Sequence, residues 1–483
     1  MEIWRASASC LNDQIAFDPA DPKAALGPLP RADAVFALYG ADPHAEPYIG
    51  RTPDLRARLE RLLQPSEKHP RRLQLAGRVR HIAWRLTGSQ FESLLTQFVL
   101  LEELYGAKAI ERMHLRMPAF VRFLGSNPYP RVAVTNRPSQ READWAYGPF
   151  PSRAAAERYT EELLKLFLLR RCTDNLDPDP SHPGCVYSEM KMCLAPCYRG
   201  CSDERYAEES ESVQRFLATR GESRLVTLRA ERDEASANLA FENAADLHAQ
   251  VQKVEAVRGL AAELVRPLSR LRAVILQASA QPDEVAVFLF ENGRLRGPAA
   301  FSTIGMRIQN EQSGSTSLFA QPLALEPVLE DWDRRPGGGD YGTEGQKDQE
   351  TRHNEGSVDA RIPTENATAG YVSGQDFSRA ETGAIHAGAV APVGIPARTK
   401  VPRSMLEARF AEVLEGLATD AASPNATERQ GHLALLTRWY YRPEARREGE
   451  IFFPEADGYW PAKAVLRGIG RVAAKSFLAG KRE

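Results

Sequence analysis

Two phenols and two guanidiniums lie close together near the start of this 483-residue chain. Tyr39 closes the apolar run Ala34–Tyr39, Tyr48 opens Tyr48-Ile49-Gly50, Arg51 follows directly, and Arg58 comes about two helical turns later. A phenol can shuttle a proton to or from water, and a guanidinium stabilises charge building on a phosphate. Such a set suits phosphodiester hydrolysis, which a metal-binding carboxylate would complete. Ordinary strand aromatics beside a solvated helix give the same pattern. A second group is denser: Cys172, Cys185, Cys193, Cys197 and Cys201 are five of the six cysteines. Thiolates at short spacing, in a compartment where structural disulfides are rare, read as a metal or iron–sulfur site. Spacing alone accepts zinc or a 4Fe–4S cluster.

The elements that must position these groups are partly legible. Ala34–Tyr39 and Tyr48-Ile49 read as strands joined by the turn formers Gly40, Asp42, Pro43 and Pro47, so a hairpin is expected. In that hairpin both phenols are expected on one face. Asp54 is the expected N-cap of a following helix that carries Arg58, and dense Leu and Val spacing predicts a second helix within 90–112. Residues 151–171 read as an amphipathic helix capped by Ser152, with Leu163, Leu164, Phe167 and Leu168 on its face. Residues 203–219 and 224–258 read as helices with a break near Gly221. The second stretch spaces Leu225, Leu228, Leu239, Phe241, Leu247, Val251 and Val254 so that two short helices expose more apolar surface than they can cover alone. Any short coiled coil would look similar. Asn292-Gly293 predicts a hairpin within 271–301. Residues 1–30 read as a loose leader and 333–400 as a flexible linker. Residues 403–478 read as a small unit with the aromatic run Trp439-Tyr440-Tyr441 and a basic end, Lys463–Lys481.

Composition sets limits. Hydrophobic residues make up 43%, which excludes wholesale disorder, and the formal net charge of -2 excludes a global basic excess. Any site for a polyanion is therefore local. From Arg51 to Gln90 ten Lys and Arg face three Asp and Glu, either a solvated helix face or a phosphate-tracking surface. MEIWRASASC lacks the form of a signal peptide and no run of about 18 apolar residues occurs, so a soluble, cytoplasmic protein without a membrane partner is expected.

The segment Ala37-Leu38-Tyr39 … Tyr48-Ile49-Gly50-Arg51 … Arg58 resembles the GIY-YIG nuclease domain, in the version found in the UvrC excinuclease family and its relative Cho. The resemblance implies Tyr39 as general base, with Tyr48, Arg51 and Arg58 positioning the phosphate. The family carries its magnesium ligand at the end of a Glu-Ala-Leu-Leu-Leu-Glu run. The matching run here is Glu92-Ser93-Leu94-Leu95-Thr96-Gln97, so a neutral amide, a poor ligand for Mg2+, replaces the carboxylate, and Glu92, Glu102 or Glu103 are the acids left to substitute, Glu92 being the one retained from the run. Gly148-Pro149-Phe150-Pro151-Ser152, Leu166–Cys172 and Cys185–Cys197 are similar to the UvrC region that binds a 4Fe–4S cluster. This implies Cys172, Cys185, Cys193 and Cys197 as cluster ligands, with zinc as the alternative and Cys201 as an extra thiol. Leu239-Ala240-Phe241-Glu242-Asn243-Ala244-Ala245-Asp246-Leu247 resembles the UVR motif, which in UvrC docks on the helicase subunit UvrB. Leu239, Phe241, Glu242, Ala245 and Leu247 are the implied partner-binding residues. Past the hairpin, Leu271–Phe301 resembles only the opening strands of an RNase H-like domain, with Arg272 near the place where an Asp is expected.

The expected fold class is α+β multidomain. Its parts are a 1–30 leader, a 31–131 GIY-YIG-like α/β domain, a 145–202 Cys-rich helical segment, a 203–260 helical region with the UVR hairpin, a 268–330 degenerate RNase H-like β region, a 331–402 linker and a 403–483 C-terminal unit. The function implied is nucleotide excision repair. The protein would bind damaged double-stranded DNA and a UvrB-type helicase subunit, and make a single metal-dependent incision. The alternative is a catalytically inactive paralogue that binds or regulates.

Overall fold

The computed structural model describes residues 10–42, 44–64, 75–306, 401–419 and 424–479. The chain divides into two units, residues 1–311 with 398–483, and residues 312–397; the second, with most of the expected linker, lies outside the described residues. The expected hairpin is part of a four-stranded antiparallel sheet. Its strands are β1 (Asp13–Ala16), β2 (Ala34–Tyr39), β3 (Tyr48–Thr52) and β4 (His81–Leu86), in the order β1-β4-β2-β3. The 1–30 leader is corrected here. Residues 13–16 pair with β4, and Phe17, Leu26 and Leu29 are buried, because the edge of β4 offers an apolar seat that is remote in sequence.

The two faces of this sheet are covered differently. Ala34, Phe36 and Leu38 face the helix Leu55–Leu63, whose Leu55, Leu59, Leu62 and Leu63 are buried against them. That helix starts where expected, with the Asp54 carboxylate accepting the Ala57 N–H at 2.8 Å. Val35, Ala37 and Tyr39 face the other way, against Leu100 and Leu104 of the helix Gln90–Tyr105. The expected helix within 90–112 is interrupted at Gly106, and Lys108–Arg112 forms a separate turn.

A second antiparallel sheet contains β5 (Ala119–Leu124), β6 (Arg131–Thr135), β7 (Ala146–Phe150) and β8 (Arg266–Pro267), in the order β6-β5-β7-β8. β5 and β6 belong to this sheet, so the N-terminal fold ends before Ala119 and not at 131. The helix Arg153–Leu163 is capped as expected, with Ser152 Oγ accepting the Ala155 N–H at 3.1 Å. It stops at Leu163; Leu168 lies beyond it and is exposed, unlike the buried Leu163, Leu164 and Phe167. Helices Asp203–Ala218, Glu222–Ala237 and Phe241–Gly259 follow, and the first two are separated at Gly221 with φ of 82°.

The third sheet joins two segments that were expected to be separate. β9 (Ala273–Ala278), β10 (Glu284–Glu291), β11 (Arg294–Ser302) and β12 (Glu450–Phe452) form one antiparallel sheet in the order β11-β10-β9-β12. Asn292 and Gly293, with φ of 54° and 81°, make the expected turn between β10 and β11. One face packs on the helices Arg403–Ala418 and Ala462–Ala479. The other packs on Ala426–Tyr440 and on the apolar side of Gln90–Tyr105. The C-terminal unit is thus completed by β9–β11, because its helices have no other apolar surface of matching size. Among the described residues no helix is long and apolar enough to cross a membrane.

Helices Gln90–Tyr105 and Ala426–Tyr440 touch at Gly431, where an added Cβ would lie 1.9 Å from Phe98 Cζ. Gly416, also helical, has nothing within 4 Å of that position. We expect Gly431→Ala to lower stability by about 1–3 kcal/mol through overpacking. Gly416→Ala should be neutral or stabilising by up to about 1 kcal/mol. Urea denaturation of both variants checks this, and equal stability of Gly431→Ala and wild type would refute the helix contact.

Candidate functional site

The tyrosine–arginine set does not assemble as expected. In the hairpin register Leu38 stands opposite Tyr48, so Tyr48 shares its sheet face with the even-numbered residues of β2. The aromatic ring beside it is Phe36, at 6.1 Å between centroids. Tyr48 OH accepts from Arg58 Nη2 at 3.2 Å, so this pair does meet. Tyr39 is odd-numbered and lies on the opposite face, buried among Val35, Ala37 and Leu100. Burial first, then the proximity of Cys10, Glu103 and Tyr105, pushes its phenol up to about 12, so it keeps its proton near neutrality. The expectation of two phenols on one face is therefore corrected, and the side chain next to Tyr48 has no hydroxyl to move a proton.

Arg51 and Gln97 also leave the Tyr48–Arg58 pair. Both line a cavity on the side of the sheet covered by the Gln90–Tyr105 helix. Glu92, the expected substitute for the metal ligand, has local work. Ser89 Oγ caps the helix by accepting the Glu92 N–H at 3.2 Å, while Glu92 Oε2 accepts the Gly88 N–H at 2.9 Å and Oε1 lies 3.6 Å from Arg85. This is a helix-start arrangement in which the carboxylate is consumed by backbone and guanidinium partners. Sequence reading could have found Phe36, because strand alternation with this register decides which residues share a face.

The cysteines do converge. Cys172, Cys185, Cys193 and Cys197 line one small cavity together with Leu176, Tyr187 and Pro196, whereas Cys201 lies outside it at the start of the 203–218 helix. Among the described residues no three His, Cys, Asp or Glu side chains stand close enough to chelate a single ion. The backbone around the thiols is unusual. Lys191, Ala195 and Arg199 have φ of 54°, 56° and 59°, a conformation L-residues avoid. One result is that the Ala195 N–H donates to Cys193 Sγ at 3.2 Å. Burial, and then the neighbouring thiols, raise the Cys193 thiol to about 11; a bound metal would reverse that preference by favouring the thiolate.

Arg170, which the sequence did not single out, organises this loop. It is 3% exposed; Nε donates to Tyr129 O at 2.8 Å and Nη1 to Asp174 O at 2.8 Å, with Cys172 Sγ 3.4 Å from Nη1. Tyr206 OH donates to Pro130 O at 2.8 Å and accepts the Arg170 N–H, tying the same loop to the 203–218 helix. The signal was the run Arg170-Arg171-Cys172, in which a guanidinium directly precedes a thiol.

The helical hairpin buries Leu225, Leu228 and Ala235 against Leu247, Val251, Val254 and Val257. Leu247, expected to face a partner, is spent inside the hairpin. Leu239, Phe241, Glu242 and Ala245 are exposed at the tip, Leu239 at 72% and Phe241 at 65%. Leu239 has φ of 58°, and the bonds Ala240 N→Ala235 O and Leu239 N→Ser236 O form a Schellman turn with leucine where glycine is usual.

Residues 120–216, the span that holds β5 to β7, the cysteine loop and the 203–218 helix, match the family described as UvrC/Cho excinuclease, middle domain. The chain is 30% identical over 238 residues to UvrABC system protein C of Alcanivorax borkumensis, covering 49% of this chain and 39% of that protein. It is 28% identical over 241 residues to the protein of the same name from Pseudomonas protegens, 50% of this chain and 39% of that one. For the Ruminiclostridium cellulolyticum protein the identity is 27% over 298 residues, 61% of this chain and 48% of that protein. The chain therefore spans less than half the length of these curated relatives. No solved structure matches it.

Proposed function

We propose that this UvrC/Cho-like chain is a nucleotide-excision-repair protein that binds damaged DNA and docks a UvrB-type helicase subunit, without cutting the strand itself. The observation that carries the non-cutting reading is the division of the nuclease-like side chains between two faces of one sheet. Tyr48 and Arg58 meet beside Phe36, while Tyr39, Arg51 and Gln97 lie on the other side. Hydrolysis needs a base, a phosphate clamp and a metal carboxylate within reach of one phosphorus. Here Tyr39 and Arg51 lie on the side away from Tyr48 and Arg58, and the position implied for the metal ligand is the amide Gln97. Backbone binding is less demanding, since exposed cations such as Arg61, Arg78 and Arg80 suffice for phosphate contact.

Docking is supported by the hairpin tip. Two large apolar side chains held out by a strained turn are costly unless a partner covers them. The cysteine cavity is the proposed seat of a 4Fe–4S cluster on Cys172, Cys185, Cys193 and Cys197, with zinc on the same thiols as the alternative. The donor set fits. Four thiols face one space, an amide reaches Cys193 and the Arg170 guanidinium lies beside Cys172. Such a group would supply cross-linking of a loop that has little core of its own, and the residues would bind it as thiolates.

A single-incision, Mg2+-dependent endonuclease is the second reading, favoured by the surviving Tyr48–Arg58 contact. Incision of damaged duplex with the helicase partner and Mg2+ separates the two. We expect no cleavage by wild type or Gln97→Glu; cleavage lost in Tyr39→Phe would restore the nuclease reading. For docking, Leu239→Ser and Phe241→Ser should each weaken helicase binding by about 2 kcal/mol, roughly 30-fold, with no change in stability. Leu247→Ala should instead destabilise the hairpin by about 2–5 kcal/mol. Undiminished binding by both tip variants would refute docking there. Anaerobically purified protein should be brown with visible absorbance from iron–sulfur charge transfer; a colourless zinc-loaded protein would replace the cluster with zinc.

A further inference from the structure

A cavity of about 580 Å³ lies where three stretches of the unit meet: the N-terminal sheet with the Gln90–Tyr105 helix, the loop 112–118, and the Ala426–Tyr440 helix with the residue after it. Its size is that of a site for a nucleotide-sized ligand. Its charge is one-sided. Arg51, Arg112, His114, Arg116 and Arg438 line it, and no Asp or Glu does. Arg112 is paired from outside by Glu46 at 3.0 Å and stacked 3.7 Å from the Tyr105 ring centroid. Among the described residues Arg51, Arg116 and Arg438 have no ion-pair partner. Burial, and then Arg438 and Arg442, press on the Arg51 guanidinium and lower its affinity for the proton. Uncompensated like charges around one space are a cost to the fold that a bound anion would remove.

The remaining walls describe what the anion carries. Gln97 and Thr437 offer hydrogen-bonding groups, and Leu94, Met113 and Tyr441 offer apolar surface. Guanidiniums clamp phosphate oxygens in bidentate fashion, and a planar base fits against an aromatic or apolar wall. We infer that this cavity binds a phosphorylated nucleotide, either free or as the 5′-phosphorylated end of a nucleic-acid strand. Arg51, Arg116 and Arg438 hold the phosphate. Arg51 and Gln97 come from the nuclease-like segment and Arg438 from the Ala426–Tyr440 helix, so the site combines that segment with one beyond the region that resembles UvrC. It shares Arg51, Gln97 and nucleic-acid chemistry with the repair reading, and helicase docking or strand cleavage can fail without affecting it.

The test uses the full chain and fluorescent single-stranded oligonucleotides ending in 5′-phosphate or 5′-hydroxyl, with dAMP and inorganic phosphate as unlabelled ligands in calorimetry. We expect the 5′-phosphorylated strand to bind at least about tenfold more tightly than the hydroxyl strand, the scale of a lost charge-assisted contact. Arg438→Gln and Arg116→Gln, both at exposed positions, should abolish that preference while leaving hydroxyl-strand binding, the thermal midpoint and helicase docking unchanged. If dAMP binds, and Arg438→Gln removes its binding, while the two strands bind alike, a free nucleotide is the ligand. Equal affinity for both strands together with no binding of dAMP would overturn the inference, as would phosphate-dependent binding that both variants retain. Binding of inorganic phosphate alone, without dAMP or strand-end preference, would also overturn it, because the cavity would then not read a nucleotide.

Discussion

Helix Gln90–Tyr105 is held from two sides, and much of the described fold depends on that arrangement. Leu100 and Leu104 press on the N-terminal sheet, while Phe91, Leu94, Leu95 and Phe98 press on the third sheet and on the Ala426–Tyr440 helix. A helix that is apolar around most of its circumference must be buried around most of it. One chain achieves this by bringing a sheet to each side. Close approach at Gly431 lets Phe98 reach the backbone of the partner helix. The next residue, His432, is buried so deeply that its imidazole falls to about 3 and stays neutral; Nδ1 accepts the Leu295 N–H at 3.0 Å. Arg294 and Glu428 pair beside it. The C-terminal residues are therefore structural partners of the first hundred, and not an appendage behind a linker.

What the sequence disclosed follows from how local each signal was. The Asp54 and Ser152 caps and the Asn292-Gly293 turn act within three residues, and all three form where their chemistry predicts. The pairing of β12 with β9 has no local signal, because Ile451 meets Ile275 only after the intervening chain has folded back. The leader failed for the same reason: Phe17, Leu26 and Leu29 look isolated among Ala, Pro and Asp until they join the core shared by β4 and the helix Leu55–Leu63. The tyrosines are a different case. Residue type drew attention to Tyr39, but strand parity governs geometry, and parity gave the place beside Tyr48 to Phe36. The converging cysteines were readable because their spacing kept all four on one loop.

Backbone strain is common to the thiol loop and the hairpin tip. Lys191, Ala195 and Arg199 in the thiol loop, and Leu239 at the hairpin tip, all have positive φ. Each costs on the order of 1–2 kcal/mol for an L-residue. In the thiol loop the twist turns an amide toward sulfur, and Arg170 anchors the loop from beneath with bonds to Tyr129 and Asp174 carbonyls. At the tip the turn holds Leu239 and Phe241 in water. A glycine at 239 would relieve the strain and remove one of the two apolar groups.

Gln97 has a place in the inferred anion site. It lies on the wall of a cavity lined by Arg51, Arg112, Arg116 and Arg438. A carboxylate there would pair with the nearest guanidinium and take up the charge that an incoming phosphate would otherwise meet. An amide of nearly the same shape keeps one acceptor and adds donors, so it can hydrogen-bond to phosphate without competing for the arginines. An amide at position 97 is thus a poor ligand for the Mg2+ that the resemblance implies and a suitable neighbour for the anion inferred here. The cationic cavity beside it is walled in part by the Ala426–Tyr440 helix. The Ala426–Tyr440 helix, which packs on the third sheet and on Gln90–Tyr105, also supplies Arg438, so packing and the inferred binding draw on the same element.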